Sequence, residues 1–212
     1  MSKKRILCFG DSYVWGYIPD SDHERFGENI RFPKVLQKLL GRNFEIIEEG
    51  LISRTLVSDD KRPGKEGRSG SQYIIPCLDS HDPIDAVVLM LGTNELKASY
   101  RKTTKQIGKL LEKHFVKVIL ARKSQFRSIQ PKLVLVVPPI INEKTDYAKY
   151  YVGGTAKSKL FKKTYSQIAK TNGCKLVDSS DLPVGTDGVH FDSAEHAKLA
   201  KRIASEIKSM KI

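Results

Sequence analysis

The chain alternates five short, largely apolar runs with amphipathic segments, and this alternation predicts its architecture. Residues 6–9, 86–91 and 133–137 are continuously apolar, and residues 44–48 and 175–177 are two further short predicted strands that include charged residues. The run at 86–91 contains no polar residue, which is typical of a parallel strand covered on both faces. We therefore predict an α/β fold with five parallel strands and right-handed crossovers, a three-layer α/β/α sandwich of the flavodoxin-like class.

Four segments between or after these runs show helical periodicity. Pro33 suits the first turn of a helix and Gly41 its end, while Thr103 and Gln106 have the spacing of a capping box. The apolar positions are Phe32, Val35, Leu36, Leu39 and Leu40; Ile107, Leu110, Leu111 and Val118; Leu160, Phe161, Tyr165, Ile168 and Ala169; and Ala197, Ala200, Ile203, Ala204 and Ile207.

Length and composition favour a single domain spanning residues 1–212. No 18-residue apolar run is present, so we predict no membrane span. Residues 1–5 resemble the basic start of a signal peptide, but the apolar run after them is about four residues long and a secretory signal needs roughly 7–15. Cys8, Cys77 and Cys174 form neither a metal-binding spacing nor an even disulfide set. We expect a cytoplasmic protein with no metal and no cofactor.

The formal net charge of +13 is high, and ten basic residues against one acidic residue fall within residues 101–132. Lys105, Lys109, Lys113 and Lys117 repeat every four residues and are predicted to share one helix face. The ordinary interpretation is a solvated face, and the alternative is an acidic partner such as nucleic acid or anionic lipid. Because no aromatic interleaving or nucleic-acid motif accompanies the lysines, we expect no nucleic-acid partner.

Small polar residues follow three of the predicted strands. They are residues 10–12 (Gly-Asp-Ser), Gly50 with Ser53, and residues 92–94 (Gly-Thr-Asn). A fourth polar cluster, residues 187–190, follows the last strand by about ten residues. Open α/β sheets bind ligands at the carboxyl ends of their strands. These segments can therefore converge on one site.

The residue types in these segments suit acyl transfer. A serine hydroxyl becomes a nucleophile when a base removes its proton. His190 is the candidate base for Ser12, and Asp187 can fix the histidine tautomer and stabilise the imidazolium. An oxyanion needs aimed N–H donors, and the candidates are the Asn94 side chain and the backbone N–H groups of Ser12 and Ser53.

Each residue also has an ordinary structural interpretation. Ser12 could be a helix N-cap, Asn94 a turn residue and His190 a surface histidine, while Asp187 precedes a glycine as in a common turn pair. Their joint occurrence at strand ends favours catalysis. The remaining histidines are expected to be surface or structural residues; these are His23, His81, His114 and His196.

The same segments carry a resemblance to the GDSL (SGNH) hydrolases. Residues 9–12 (Phe-Gly-Asp-Ser), 50–55, 92–94 and 187–191 (Asp-Gly-Val-His-Phe) look like the four blocks of that family. The residues in these blocks are most similar to those of the arylesterase and acyltransferase branch, and the resemblance runs over nearly the whole chain. It implies the SGNH hydrolase fold and a carboxylic ester hydrolase that acts on a small-molecule ester.

The resemblance also implies roles for single residues. Ser12 would be the nucleophile, His190 the base, Asp187 the third member of the triad and Asn94 an oxyanion donor. Aligned through the Ser-Arg-Thr run at residues 53–55, the backbone N–H of Ser53 takes the donor position that the family usually gives to Gly or Ala. That alignment leaves Gly50 as a turn residue.

Two residues depart from the family pattern. Tyr13 stands where the family has Leu, and we expect its phenol to tighten the acyl side of the pocket. Glu95 stands where the third block usually has Asp, so a supporting hydrogen bond there is expected to shift. We assign Asp11, Tyr13, Trp15 and Ile52 to the substrate pocket.

The sequence thus predicts a serine esterase that hydrolyses small acyl esters, acetyl above all, through an acyl-enzyme on Ser12, with acyl transfer to alcohols as a second outcome. Alternatives within the family are a carbohydrate O-acetylesterase and a thioesterase. A non-catalytic flavodoxin-like module that cradles phosphate is another alternative, although the chain has no dinucleotide or P-loop fingerprint. The loops at 57–72 and 140–155 are long enough to line a site or an interface, and we expect a homo-oligomer.

Overall fold

The computed structural model describes residues 3–60, 62–126, 129–210 and 212. Five parallel strands form one sheet: β1 (Lys4–Gly10), β2 (Phe44–Gly50), β3 (Ala86–Met90), β4 (Lys132–Val137) and β5 (Lys175–Asp178). The strand order is β2-β1-β3-β4-β5. The chain therefore changes direction across the sheet between β1 and β3, which is where such sheets bind ligands. The α/β prediction is confirmed.

The helices in the described ranges are α1 (Ser12–Trp15), α2 (Phe32–Leu40), α3 (Gly70–Ser80), α4 (Thr104–Leu111), α5 (Lys117–Ala121), α6 (Gly154–Ser158), α7 (Phe161–Asn172) and α8 (Ser193–Ser209). A π-helical turn, Glu112–Val116, joins α4 to α5. Thr103 and Gln106 form the predicted capping box at the start of α4.

Alternate residues of each strand face two separate hydrophobic layers. Leu7 and Phe9 of β1 pack with α3, α4, α5 and α7 on one face, whereas Ile6 and Cys8 pack with α1, α2 and α8 on the other. All four of these β1 side chains are fully buried. Cover on both faces explains why the central strands β1, β3 and β4 contain continuous apolar runs rather than alternating patterns, whereas the edge strands β2 and β5 include charged residues.

Helix α3 was not predicted from the sequence. It carries Pro76 in its interior, which argues against a helix when only the sequence is read. Its buried positions Ile74, Cys77 and Leu78 do have helical spacing, but Ile75 between them is exposed and obscures the pattern. The predicted loop at 57–72 therefore ends at Gly70, and its Lys61 lies outside the described residues.

The segment at 140–155 is more regular than predicted. A 3-10 helix spans Tyr147–Tyr151, and α6 begins at Gly154. The lysine row is also less regular than its spacing suggests. All four lysines of the row at 105–117 are exposed, but the π turn shifts the helix register between the second and the fourth. Arg127, counted with this basic region, lies outside the described residues.

Across the described ranges, no helix is both long enough and apolar enough to cross a membrane. Cys8 and Cys77 are buried, Cys174 is partly buried, and all three are free thiols.

Strands β1 and β2 end on two paired glycines, Gly10 and Gly50. A Cβ on Gly50 would lie 2.2 Å from the backbone nitrogen of Trp15, and a Cβ on Gly10 would lie 2.4 Å from the carbonyl oxygen of Met90. The bare backbone therefore lets α1 sit directly against the edge of the sheet. The prediction that Gly50 is a turn residue is wrong, because Gly50 is the last residue of β2 and permits this close approach.

Candidate active site

Ser12 is the first residue of α1, just beyond the carboxyl end of β1 and at the point where the strand order reverses. The Oδ1 atom of Asp11 accepts the backbone N–H of Tyr13 at 3.1 Å and caps this short helix. The cap is therefore Asp11 and not Ser12. The Ser12 hydroxyl instead lies 2.8 Å from Nε2 of His190.

His190 bridges Ser12 and Asp187. Its Nδ1 atom lies 2.6 Å from Oδ2 of Asp187, so a proton on Nδ1 leaves Nε2 to accept the serine O–H. Burial raises the pKa of Asp187, but the hydrogen bond and charge of His190, together with two backbone N–H groups, outweigh it and hold that pKa below its ordinary value. The carboxylate is thus ionised and directed at the imidazole.

The loop that carries Asp187 and His190 is fixed from two sides. Oδ1 of Asp187 accepts the backbone N–H groups of residues 189 and 190 at 2.8 Å each. Thr145 donates its hydroxyl to the Asp187 carbonyl at 2.6 Å, and the Asn142 N–H donates to the Gly188 carbonyl at 2.8 Å. Gly188 has φ 74°, in the left-handed region that favours glycine. The 140–155 segment therefore supports the loop that carries Asp187 and His190.

Tyr13 packs beneath the imidazole and does not line a substrate pocket. It is 1% exposed, and its ring centroid lies 5.9 Å from that of His190 and 5.0 Å from that of Phe191. Its hydroxyl donates to the carbonyl of Val189. The prediction that Tyr13 tightens the acyl side of the pocket is therefore wrong, because the phenol holds the residue that precedes His190.

Ser12 and His190 open into a cavity of about 170 Å³. Two tyrosines flank the imidazole: the ring centroid of Tyr17 lies 4.4 Å from that of His190, and the ring centroid of Tyr147 lies 5.6 Å from it. Ile52 lines the same cavity, as assigned from the sequence. The catalytic cavity is small and has aromatic walls.

The other two pocket assignments are also corrected. Asp11 is fully buried below Ser12 and does not line the cavity. Trp15 packs against Tyr17, at 6.2 Å between ring centroids, and the Arg25 guanidinium lies 5.4 Å above its ring. Neither Asp11 nor Trp15 is therefore among the residues that line the cavity.

Asn94 and Ser53 line the cavity beside Ser12. Nδ2 of Asn94 donates to the Arg54 carbonyl at 3.0 Å, which fixes the amide and leaves its second N–H for another acceptor. Ser53 has φ 63°, a conformation that residues with a side chain rarely adopt, and its hydroxyl accepts Nη2 of Arg62 at 3.1 Å. The three predicted oxyanion donors thus belong to residues that meet at one cavity.

Four charged or titratable residues of the cavity were missed by the sequence. They are His23, Arg62, Lys65 and Lys97. His23 was expected to be a surface or structural residue. It is exposed, as expected, and it also lines the cavity, with Nε2 3.1 Å from Nζ of Lys65. Arg62 and Lys65 belong to the 57–72 loop, whose length indicated that it could line a site, but neither periodicity nor a motif marked any of the four residues individually.

His196, by contrast, is structural as expected. It is buried in the hydrophobic layer of α2 and α8, and its Nδ1 accepts the backbone N–H of Phe32 at 3.3 Å. Burial lowers the pKa of His196 to about 3. The neutral imidazole therefore serves packing and has no part in the cavity.

Two buried carboxyl groups lie behind Ser12. Glu95 accepts the backbone N–H of Leu56 through Oε1, and burial raises the pKa values of both Glu95 and Asp11 to about 7. The other oxygens, Oδ2 of Asp11 and Oε2 of Glu95, are buried without a protein partner. The Glu95 side chain, which is one methylene longer than an aspartate, thus connects Leu56, in the segment that follows Ser53, to the segment that begins at Asn94.

Glu49, Cys77 and His81 form a cluster of potential metal ligands. Oε1 of Glu49 lies 2.8 Å from Nε2 of His81, and Oε2 lies 3.9 Å from the Arg54 guanidinium. Burial raises the pKa of the Cys77 thiol to about 12. The contacts among these groups account for the cluster as an ion-pair network outside the catalytic cavity.

The sequence matches the model of the GDSL-like lipase/acylhydrolase family over residues 8–198. A comparison with curated proteins found no match.

Three solved structures show the extent of the structural similarity. The native aryl esterase of M. smegmatis is 34% identical, with a TM-score of 0.89 and coverage of 97% of this chain and 99% of that one. Est24, a carbohydrate acetylesterase from Sinorhizobium meliloti, is 30% identical, with a TM-score of 0.90 and coverage of 98% and 99%. A lipase/acylhydrolase from Enterococcus faecalis shares the fold at 18% identity, with a TM-score of 0.63 and coverage of 97% and 96%.

Proposed function

The chain belongs to the GDSL-like lipase/acylhydrolase family and is a carboxylic ester hydrolase, and on that premise we propose that it cleaves esters of small acyl groups through an acyl-enzyme on Ser12. The observation that carries this proposal is the unbroken contact chain from Ser12 through His190 to Asp187, which opens into the small cavity. Family membership favours catalysis over the non-catalytic binding module.

In the first half of the reaction, Nε2 of His190 takes the proton of the Ser12 hydroxyl as Oγ attacks the ester carbonyl. The carbonyl oxygen becomes an oxyanion, and the N–H groups of Ser12, Ser53 and Asn94 are its donors. Collapse of the tetrahedral intermediate breaks the bond to the leaving alcohol, which takes the proton from His190. The acyl group stays on Oγ of Ser12.

In the second half, His190 takes a proton from water, and the resulting hydroxide attacks the acyl-enzyme. The carboxylic acid leaves and the proton returns to Oγ of Ser12. An alcohol in place of water gives acyl transfer by the same steps, and we include this reaction in the proposal. Asp187 remains ionised throughout and stabilises the imidazolium.

The size of the catalytic cavity supports a preference for acetyl and similar acyl groups. Its volume is about 170 Å³, and Tyr17, Tyr147 and Tyr151 are among its walls. Aromatic side chains hold their shape with few rotatable bonds, so a long acyl chain would have to displace them. We expect turnover to fall as the acyl chain lengthens from acetyl to hexanoyl.

Ser12→Ala tests the assignment with 4-nitrophenyl acetate as substrate. The variant is expected to lose all hydrolysis above the rate of buffer, while circular dichroism and thermal unfolding match the wild type. Ser71→Ala is the matched control, since Ser71 lies in the first turn of α3 and does not line the cavity. Retained turnover by folded Ser12→Ala protein would contradict the proposal.

We also propose an oligomeric state, a cellular location and a class of binding partner for this protein. A homo-oligomer is supported by the exposed aromatic side chains Tyr147 and Tyr150, and a cytoplasmic location by the three free cysteines. A small-molecule ester is the proposed partner of the site, and nucleic acid is not. Size-exclusion chromatography with light scattering tests the oligomeric state.

A further inference from the structure

A second and larger cavity adjoins the catalytic one. Its volume is about 710 Å³, and it shares Arg62, Lys97 and Tyr150 with the lining of the cavity that holds Ser12. Nothing in the triad mechanism uses this space. A group attached to an ester at Ser12 can extend past these shared residues into the larger cavity.

Positive charge dominates the lining of the larger cavity. Its cations are Arg62, Lys97, Lys102 and Lys149, and its acids are Asp59 and Asp60. The described residues offer no carboxylate partner within 4.0 Å to Lys102 or Lys149. Among the residues that the structure describes, the cavity lining therefore carries two more positive than negative side chains.

The two acids are already engaged. Oδ1 of Asp59 accepts the backbone N–H groups of Arg68 and Ser69 at 2.9 and 3.3 Å. Both oxygens of Asp60 accept Nε of Arg62, at 2.9 and 3.1 Å. Asp60 is thus paired mainly with Arg62, and one oxygen of Asp59 is occupied by the backbone.

Lys97 stands at the junction of the two cavities. Its side chain is 11% exposed, and its Nζ lies 4.0 Å from Asp60 and 5.8 Å above the ring centroid of Tyr151. An ammonium that is removed from water needs close anionic partners, and one carboxylate at 4.0 Å, shared with Arg62, supplies little. Burial accordingly lowers the pKa of Lys97 to about 8, which leaves it mostly protonated at neutral pH.

We propose that the larger cavity binds an anionic group on the leaving part of the ester, so that the enzyme prefers short-chain acyl esters of an alcohol or phenol that bears a carboxylate, sulfate or phosphate. This inference rests on the proposed esterase function. The cations Lys97, Lys102 and Lys149 attract the anion, and Arg62 fixes the wall between the two cavities.

We assign the leaving alcohol or phenol, and not the acyl group, to the larger cavity because of the order in which the two parts of the ester leave the site. The acyl group stays on Ser12 and must fit the 170 Å³ cavity beside it. The alcohol must depart before water can attack, and the larger cavity gives it room to do so. The positive charge of the cavity would also attract an anionic substrate over a long range and raise its local concentration at the site.

The test compares 4-acetoxybenzoate with 4-acetoxybenzamide, which differ in the charge of one substituent of nearly equal size. Each kcat/KM is divided by the spontaneous hydrolysis rate of the same ester to remove the difference in leaving-group reactivity. The wild type is expected to favour the carboxylate by about three- to tenfold at low salt, and to lose most of that preference at 0.5 M NaCl because exposed charges are screened.

The variant Lys102→Gln/Lys149→Gln removes two of the cations, and Lys201→Gln/Lys208→Gln removes two exposed lysines of α8 as the matched control. The first variant is expected to reduce the carboxylate-to-amide ratio to near one, and Lys102→Glu/Lys149→Glu to invert it. The control is expected to keep the wild-type ratio. Competitive inhibition by 4-hydroxybenzoate, stronger than by 4-hydroxybenzamide, checks binding without chemistry.

A ratio near one in the wild type that neither salt nor the Lys102/Lys149 variants change would overturn the inference. So would a preference for an anionic acyl group, measured as faster turnover of 4-nitrophenyl hydrogen succinate than of 4-nitrophenyl butyrate. In either case Ser12-dependent hydrolysis of 4-nitrophenyl acetate would still stand. Absence of Ser12-dependent hydrolysis of 4-nitrophenyl acetate in the wild type would instead contradict the proposed function itself.

Discussion

Tyr13 and Val189 are joined by a hydrogen bond from the Tyr13 hydroxyl to the Val189 carbonyl oxygen. Tyr13 directly follows Ser12, and Val189 directly precedes His190, so this one contact connects the segment of the proposed nucleophile to the segment of the proposed base. The two residues lie 176 positions apart in the chain. We therefore expect Tyr13 to position the proposed catalytic pair, Ser12 and His190.

Tyr13→Phe is expected to lower kcat about tenfold and to reduce the free energy of unfolding by about 1 kcal/mol, because the buried Val189 carbonyl loses its donor. The Phe ring keeps its packing on His190 and Phe191. Steady-state kinetics over acetyl, butyryl and hexanoyl esters check the role. A changed chain-length preference with unchanged kcat would show that Tyr13 acts in the pocket after all.

Asn94→Ala is expected to lower kcat by about 10²–10³ with little change in KM, because the amide would donate to the oxyanion and not to the ground-state ester. The same substitution removes the hydrogen bond to the Arg54 carbonyl. Chemical denaturation therefore accompanies the kinetics, at a temperature where the variant is fully folded. A folded variant whose kcat stays within twofold of the wild type would remove Asn94 from the oxyanion site.

Glu95→Gln is expected to change how stability depends on pH. The pKa of Glu95 is about 7 in the folded state against 4.5 for an ordinary glutamate. Between these values the folded protein binds more protons than the unfolded chain, so the stability that Glu95 contributes falls as pH rises through this window. The glutamine cannot ionise. Relative to wild type, the variant is expected to gain about 1–3 kcal/mol at pH 8 that is absent at pH 4.5.

Urea denaturation of both proteins at pH 4.5 and pH 8 measures this difference. The exposed Glu24→Gln serves as the control that removes the same charge from the surface. Asp11, Lys97 and His196 titrate in both proteins, so their contributions to the pH dependence of the free energy of unfolding largely cancel in the comparison. An equal stability difference at the two pH values would show that Glu95 ionises as readily when buried as in water.

The sequence predicted the features that depend on periodicity and on residue chemistry. Continuous apolar runs identified the central strands, since burial on both faces leaves no room for polar residues. The polar strand ends identified Ser12, Asn94 and the Asp187–His190 pair, since parallel strands bring their carboxyl ends together. The structure places all four around one cavity or in direct contact with a residue that lines it.

Features that depend on three-dimensional packing could not be predicted from the sequence. Tyr13 is adjacent to the nucleophile in the chain, but a one-turn helix turns its side chain under the imidazole. Lys97 and Arg62 meet only because separate loops converge on the cavities, and no pattern within either loop predicts that contact. Gly50 appeared to be a turn residue because the approach of the Trp15 backbone is visible only in the folded chain.

Gly50→Ala is expected to reduce the free energy of unfolding by more than about 2 kcal/mol, because an atom 2.2 Å from the Trp15 nitrogen must push α1 off the sheet. Activity is expected to fall as well, since α1 carries Ser12. Gly27→Ala is the matched control, as a Cβ there meets no atom within 4 Å. Equal stability of the two variants would contradict the close approach of α1 to β2.

The most direct test of the account is the identity of the residue that becomes covalently bound. Diethyl 4-nitrophenyl phosphate transfers its phosphoryl group to an activated serine and releases 4-nitrophenolate, leaving a stable adduct. Intact-mass measurement and peptide mapping are expected to find one adduct per chain, on Ser12, with His190→Ala slowing its formation by at least about 10³-fold. Labelling at another residue, or at the wild-type rate without His190, would contradict the central claim.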